Sequence, residues 1–169
     1  MTHAQFIAAD PAHSVWLAAH AGTGKTKVLV DRVLRLLIAG EEPSAILCLT
    51  YTNAAAQEMQ LRLRSVLSRW VMQDADDLLV TLRELLGRDA DAAEEALARN
   101  LLCGLMDDAY GVQMQTIHGF CQSLLARFPV EADVSSHFTL MDERTAQEAL
   151  QEARMRSVST GCNAAAQSR

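Results

Sequence analysis

Residues Ser14 to Thr26 read S-V-W-L-A-A-H-A-G-T-G-K-T, and the segment after them stays amphipathic as far as Gly40. The apolar run Val15 to Ala19 has the length of a buried strand, so the order predicted is strand, glycine loop, helix. Glycines at 22 and 24 allow backbone angles that a side chain forbids, and successive N–H groups can then converge on one anion. A helix starting near Lys25 adds its own unpaired N–H groups and the positive end of its dipole. In that geometry the Lys25 ammonium reaches the β and γ phosphates of a nucleotide, and the Thr26 hydroxyl ligates Mg²⁺. The cradle spans Ala19, His20, Ala21, Gly22, Thr23, Gly24, Lys25 and Thr26, with Ala19 in the slot where the usual pattern has its first glycine. The competing reading is an ordinary glycine turn before a helix. Strand, loop and helix in the motif's own order favour the phosphate site.

On either side the pattern continues. Asp10-Pro11 marks a turn that ends any short helix before it. Gly40-Glu41-Glu42-Pro43-Ser44 stops the first long helix, and Ala45 to Thr50 (A-I-L-C-L-T) reads as a parallel strand buried on both faces. Strand, helix and strand in so short a span make a right-handed βαβ unit. Thr52 or Asn53 caps a following helix whose apolar positions are Ala55, Met59, Leu63, Val66, Leu67 and Trp70, with Arg62 and Arg69 on its wetter face. Two acidic amphipathic helices broken near Gly87 are expected between Asp74 and Asp108. A third strand at Val112 to Thr116 and a helix from His118 to Phe128, stopped by Pro129, come next. Asp142 is expected to cap a last helix to about Met155, with a disordered tail after it.

Composition narrows the class. Half the residues are hydrophobic and 5% aromatic, in a 169-residue chain large enough to bury a core. There is no long apolar run and no signal-peptide layout, so a cytoplasmic protein without a membrane partner is expected. Cys48, Cys103, Cys121 and Cys162 lack C-x-x-C spacing and are expected to be reduced and packed. A net charge of −6 speaks against nucleic acid until its distribution is read: residues 74–108 carry ten Asp and Glu against three Lys and Arg, whereas residues 1–73 carry five against seven.

Three stretches in order, Ala19 to Thr26, L-T-Y-T-N-A-A-A-Q-E-M from Leu49 to Met59, and Q-T-I-H-G-F-C from Gln115 to Cys121, resemble motifs I, Ia and Ib of the UvrD/Rep-like DNA helicases. Gln5 matches that family's adenine-reading glutamine in type and spacing. The flanking A-A-D-P and A-R-F-P-V-E-A look most like the AddA-type helicase-nuclease subunits of bacterial double-strand-break repair. The resemblance covers about residues 5–155 and implies an α/β phosphate-loop NTPase of the RecA-like kind, with a parallel sheet flanked by helices. It also implies ATP and Mg²⁺ as cofactors, Lys25 and Thr26 as catalytic residues, and single-stranded DNA bound by Tyr51, Thr52, Asn53, Thr116 and His118. A second helicase-nuclease subunit is the implied partner of an intact protein. Ala54 stands where many members have lysine, which removes one expected backbone-phosphate contact. Tyr51 either stacks on a base or packs half-buried; His118 either meets the DNA backbone or is satisfied at its helix start.

The family's acidic pair for Mg²⁺ and water is not matched by Asp142-Glu143, which reads as a helix cap. The chain is therefore expected to be an incomplete motor domain: residues 1–141 part of the ATP-binding domain, 142–156 the start of an inserted helical subdomain, 157–169 a tail. Two rival readings are a catalytically inactive remnant that binds nucleotide only and an unrelated phosphate-loop enzyme such as a small kinase. The kinase should show an Arg-rich lid, and none is present.

Overall fold

A left-handed Gly24 opens helix α2 (Lys25–Ile38), and the helix is held by one face: Val28, Val30, Val33, Leu34, Leu37 and Ile38 are buried. Burial of that stripe outweighs the modest helix propensity of its three valines. The computed structural model describes residues 2–18, 20, 22–105, 111–135, 138–139, 141 and 143–166. Before α2 lies a single short helix, α1 (His3–Ala8), with Thr2 and Gln5 forming a reciprocal capping box; after it come β1 (Leu47–Thr50), α3 (Asn53–Met72), α4 (Ala75–Leu86), α5 (Ala92–Leu105), β2 (Gln113–Thr116), α6 (Ile117–Arg127) and α7 (Glu143–Ala166). The chain divides into two compact units, Met1–Cys121 and Gln122–Arg169.

In the first unit, β1 and β2 pair in parallel from Leu47 opposite Gln113 to Thr50 opposite Thr116. The main core is helical. Met59, Leu63, Leu67 and Trp70 of α3 meet Leu34 and Leu37 of α2, Leu78, Leu82 and Leu85 of α4, and Ala98 and Leu101 of α5. Met114 is the buried residue of β2 in this cluster, so α3 covers one face of the sheet. As expected, the break between the acidic helices falls at Gly87, the C-cap of α4. Arg88 then donates to both carboxylate oxygens of Glu94 at 2.8 and 2.6 Å, while Glu94 also accepts from the Asp91 N–H at 3.0 Å. These bonds, the Arg88 one foremost, hold the Glu94 carboxyl at about 2.

Four expectations are corrected. Val15 to Ala18 is not a strand: it has no ladder partner among the described residues, and Trp16 is 94% exposed. A parallel strand in a sheet interior needs a neighbour on each side, and β1 and β2 pair with each other. β1 is covered on one face only, with Cys48 half-buried against the core and Leu47 and Leu49 exposed at 42% and 43%, because the described helices pack on one side of the pair. The strand also starts later than read, because Pro43–Ala45 forms a 3₁₀ turn. Of the cysteines, Cys48 is half-buried whereas Cys103 and Cys121 are exposed, and burial pushes the Cys48 thiol up.

In the second unit, α7 continues past Met155 to Ala166, where a tail without helical order was expected. The stretch has no apolar stripe, and Ser157 to Asn163 are weak helix formers, so neither spacing nor propensity accounts for the extension. Asp142, expected as its cap, lies outside the described residues. None of the described helices is long and apolar enough to cross a membrane.

Two stability measurements check this packing. Leu67→Ala, fully buried, is expected to lower the urea unfolding free energy by about 3 kcal/mol, while Leu61→Ala, 66% exposed on the same helix, stays within about 0.5 kcal/mol. Equal effects would place the core elsewhere. The Glu94 carboxyl, ordinarily near 4.5 and held at about 2 when folded, contributes stability that is fully present above pH 4.5 and lost as the pH falls through 2. Glu94→Gln should therefore flatten the fall in the urea midpoint across that acid window and leave its slope at neutral pH unchanged.

Candidate nucleotide and nucleic-acid site

The loop before α2 is drawn into a bend by one acceptor. The His20 carbonyl receives the Thr23 hydroxyl at 2.8 Å and the Lys25 ammonium at 2.9 Å, so the lysine folds back over the loop instead of extending into solvent. Gly22 and Gly24 have φ of +81° and +87° on either side of Thr23. A Cβ on Gly22 would meet nothing, and one on Gly24 only an ordinary 3.5 Å contact with Gln5 Nε2. Handedness, not room, is therefore what requires glycine at both positions. The first helical bond runs from the Val28 N–H to the Gly24 carbonyl, so the N–H groups of Thr26 and Lys27 precede it at the positive end of α2. Thr26 is half-buried on that first turn. Ala19 and Ala21, the remaining expected cradle residues, lie outside the described residues.

Gln5 stands against this bend. Its Nε2 donates to the Thr23 carbonyl at 3.3 Å, and its Oε1 accepts the Thr2 N–H at 3.0 Å. An amide has two donor hydrogens and two acceptor lone pairs, so one of each remains for an outside ligand. The segment carrying Gln5 is fastened to α2 by two arginines that sequence reading passed over. Arg32 donates to the carbonyls of Asp10 and His13, the latter at 2.7 Å, and Arg35 reaches the Phe6 carbonyl at 3.0 Å. Acceptors nineteen or more residues away in the chain leave no local signal; the only available hint was the placement of two arginines within a strongly apolar helix.

A second group of candidates gathers where β1 and β2 end. Tyr51 is 82% exposed, which excludes the packing role and leaves its ring face open. The Thr52 hydroxyl accepts the Ala55 N–H at 3.2 Å as N-cap of α3, and the Thr116 hydroxyl accepts the Gly119 N–H at 3.1 Å at the start of α6. Each keeps its own O–H hydrogen to donate. Asn53, Gln57, Gln60, Thr116 and Gly119 line one depression of about 300 Å³, so the structure brings Asn53 and Thr116 together. His118 is exposed on the first turn of α6, outside that lining. Arg62 is exposed and paired with Glu58 at 2.6 Å, as its wetter face foretold. A larger cavity of about 980 Å³ lies between α2, α3 and α4, and its wall mixes Lys27, Arg62, Arg69 and Arg83 with Asp31, Glu58 and Glu84 around Leu61 and Trp70.

Comparison with known proteins shows the family. The family model described as the UvrD/REP helicase N-terminal domain matches residues 1–167. Among similar curated proteins, an ATP-dependent helicase/nuclease of the AddA type from Lactobacillus acidophilus is 27% identical over 149 residues, 88% of this chain and 11% of the relative. Proteins of the same name from Moorella thermoacetica and Listeria monocytogenes are 33% and 32% identical over 76% and 77% of the chain, and 8% and 9% of their own lengths. The chain thus spans about a tenth of the length of these relatives. With a match that runs almost from end to end, the chain belongs to the UvrD/REP helicase N-terminal domain family.

Proposed function

We propose that this chain binds ATP with Mg²⁺ at the glycine loop and forms the opening part of a RecA-like motor domain of an AddA-type DNA helicase. The observation that carries the reading is the convergence on one bend of the Lys25 ammonium, two left-handed glycines and the Gln5 amide. Lys25 is already turned over the loop, and a phosphate oxygen would take the place of the His20 carbonyl as its acceptor, a charge-assisted exchange for a neutral one. Gln5 offers one donor and one acceptor, the pattern an adenine edge needs. Thr26 fits Mg²⁺ as a single oxygen donor on the first turn of α2, since that ion takes few protein ligands and completes its shell with water and phosphate. When bound, Mg²⁺ neutralises charge on the phosphate oxygens.

Single-stranded DNA is assigned to the strand-end group. Tyr51 stacks on a base, Asn53 and the O–H groups of Thr52 and Thr116 donate to the backbone, and His118 meets it beside them. Among the described residues no Asp-Glu pair follows an apolar strand, so nucleotide binding without strand separation is the expected behaviour of these 169 residues. DNA repair, and a partner helicase-nuclease subunit, belong to the reading for a full-length protein.

Titration of the purified chain with N-methylanthraniloyl-ATP and Mg²⁺ tests the first site. Lys25→Ala should weaken binding by about tenfold or more, the worth of a charge-assisted hydrogen bond; unchanged affinity would refute the phosphate assignment. Fluorescence anisotropy with a labelled oligothymidylate tests the second. Tyr51→Ala should weaken binding about tenfold, as expected for a lost base–aromatic stack, and wild-type affinity in the variant would remove Tyr51 from the interface.

A further inference from the structure

Resting on the adenine-nucleotide reading above, we infer that the α4–α5 hairpin sets the base selectivity of the site, with Arg35 as the residue that positions Gln5. Arg35 is only 6% exposed. Its Nε donates to the Leu85 carbonyl in the last turn of α4 at 2.9 Å, and its Nη1 donates to the Phe6 carbonyl in α1 at 3.0 Å. The guanidinium also lies over the Phe6 ring, 4.1 Å from its centre. Nη2 is buried and has no hydrogen-bond partner among the described residues.

A buried guanidinium is costly to keep, and one of its nitrogens here is unsatisfied. What it adds is a tie between α1 and α4 through α2, beside the core packing of α2 on α4 and the Arg32 bonds to the segment after α1. Helix α1 has six residues, of which Ala8 alone is buried, far too little to fix its own position. The hairpin meets the tip of the Phe6 ring. Gly87, at φ +74°, lies so close that a Cβ there would sit 2.3 Å from Phe6 Cζ. Phe6 is thus pinned between Arg35 and Gly87, and its chain neighbour Gln5 bonds the Thr23 carbonyl of the glycine loop. A continuous path of contacts runs from the hairpin turn through Leu85, Arg35 and Phe6 to the amide that would read the base. The phosphate bend itself, held by His20, Thr23 and Lys25, does not depend on it.

That separation makes the inference testable on the 169-residue chain. Dissociation constants are measured for N-methylanthraniloyl-ATP, N-methylanthraniloyl-GTP and inorganic tripolyphosphate. Wild type should prefer the adenine nucleotide, and Gln5→Ala should abolish the preference. Gly87→Ala, on an exposed turn, and Arg35→Met should each bring the ATP-to-GTP ratio down to near one while tripolyphosphate affinity stays within about twofold. Arg35→Lys should recover part of the ratio through its remaining charge. With the Phe6 ring removed, Gly87→Ala should have no further effect on selectivity. Retention of the wild-type ratio in Gly87→Ala would overturn the inference, and it decides the matter if Arg35→Met does not fold. No adenine preference in wild type, or full preference in Gln5→Ala, also overturns it. If Lys25→Ala leaves tripolyphosphate binding intact, the phosphate assignment itself has failed, a result distinct from a lost base preference.

Discussion

The carbonyl of His20 is the point to which the first third of the molecule is tied. It takes one hydrogen bond from a threonine hydroxyl and one from a lysine ammonium, and it can do so only because the backbone turns left-handed at Gly22 and again at Gly24. An L-residue at either place would carry roughly 1–2 kcal/mol of conformational strain, although there is space for its Cβ. From that bend α2 starts in a fixed direction, and the spacing of its apolar residues places the stripe from Val30 to Ile38 against the core, with Val28 against Ala8 and Ala9. The loop's shape and the core's position are in this sense one decision of the backbone.

The core that α2 joins is built by helices. Trp70, Leu34, Leu37, Leu67, Leu78 and Leu82 are its largest fully enclosed side chains, and none belongs to the sheet. That arrangement accounts for the exposed apolar residues elsewhere. Leu47 and Leu49 on the open face of β1, together with Val15, Trp16 and Leu17 beside the loop, form surface that the described helices leave uncovered. Apolar area left in water forgoes about 25 cal/mol per Å², and such faces favour association with whatever can cover them.

Local signals were legible and distant ones were not. The glycine loop, the start of α2, the Thr52 cap, the break at Gly87 and the third strand all follow from backbone preferences or from apolar spacing within a few residues, and each stands where reading placed it. Val15 to Ala18 went the other way because strand formation depends on neighbours that no window of sequence contains. Arg32 and Arg35 were missed for the same physical reason. Their acceptors, the carbonyls of Asp10, His13, Phe6 and Leu85, are backbone groups with no residue preference, so nothing in the sequence of either partner announces the bond. The helix beyond Met155 was missed because Ser157 to Asn163 carry neither an apolar stripe nor strong helix formers.

The strand-end group shows how structure changes the chemistry assigned to residues that sequence had already singled out. Thr52 and Thr116 both spend an oxygen lone pair on capping a helix, which fixes each side chain and leaves its hydrogen as the only donor available outward. Both caps sit at the same end of the two parallel strands, where Thr50 pairs with Thr116, so α3 and α6 start side by side. Two helix N-termini on one edge favour anionic groups there without any lysine. The chain's acidity does not oppose this. It is concentrated in the α4–α5 hairpin, where Glu94 is bound to Arg88 and Glu95 to Arg99, while none of the strand-end residues Tyr51, Thr52, Asn53, Thr116 and His118 is acidic. A negatively charged protein can on these terms present a neutral, donor-rich edge to a phosphate backbone, because what matters to the ligand is the local array of N–H and O–H groups and not the sum over the chain.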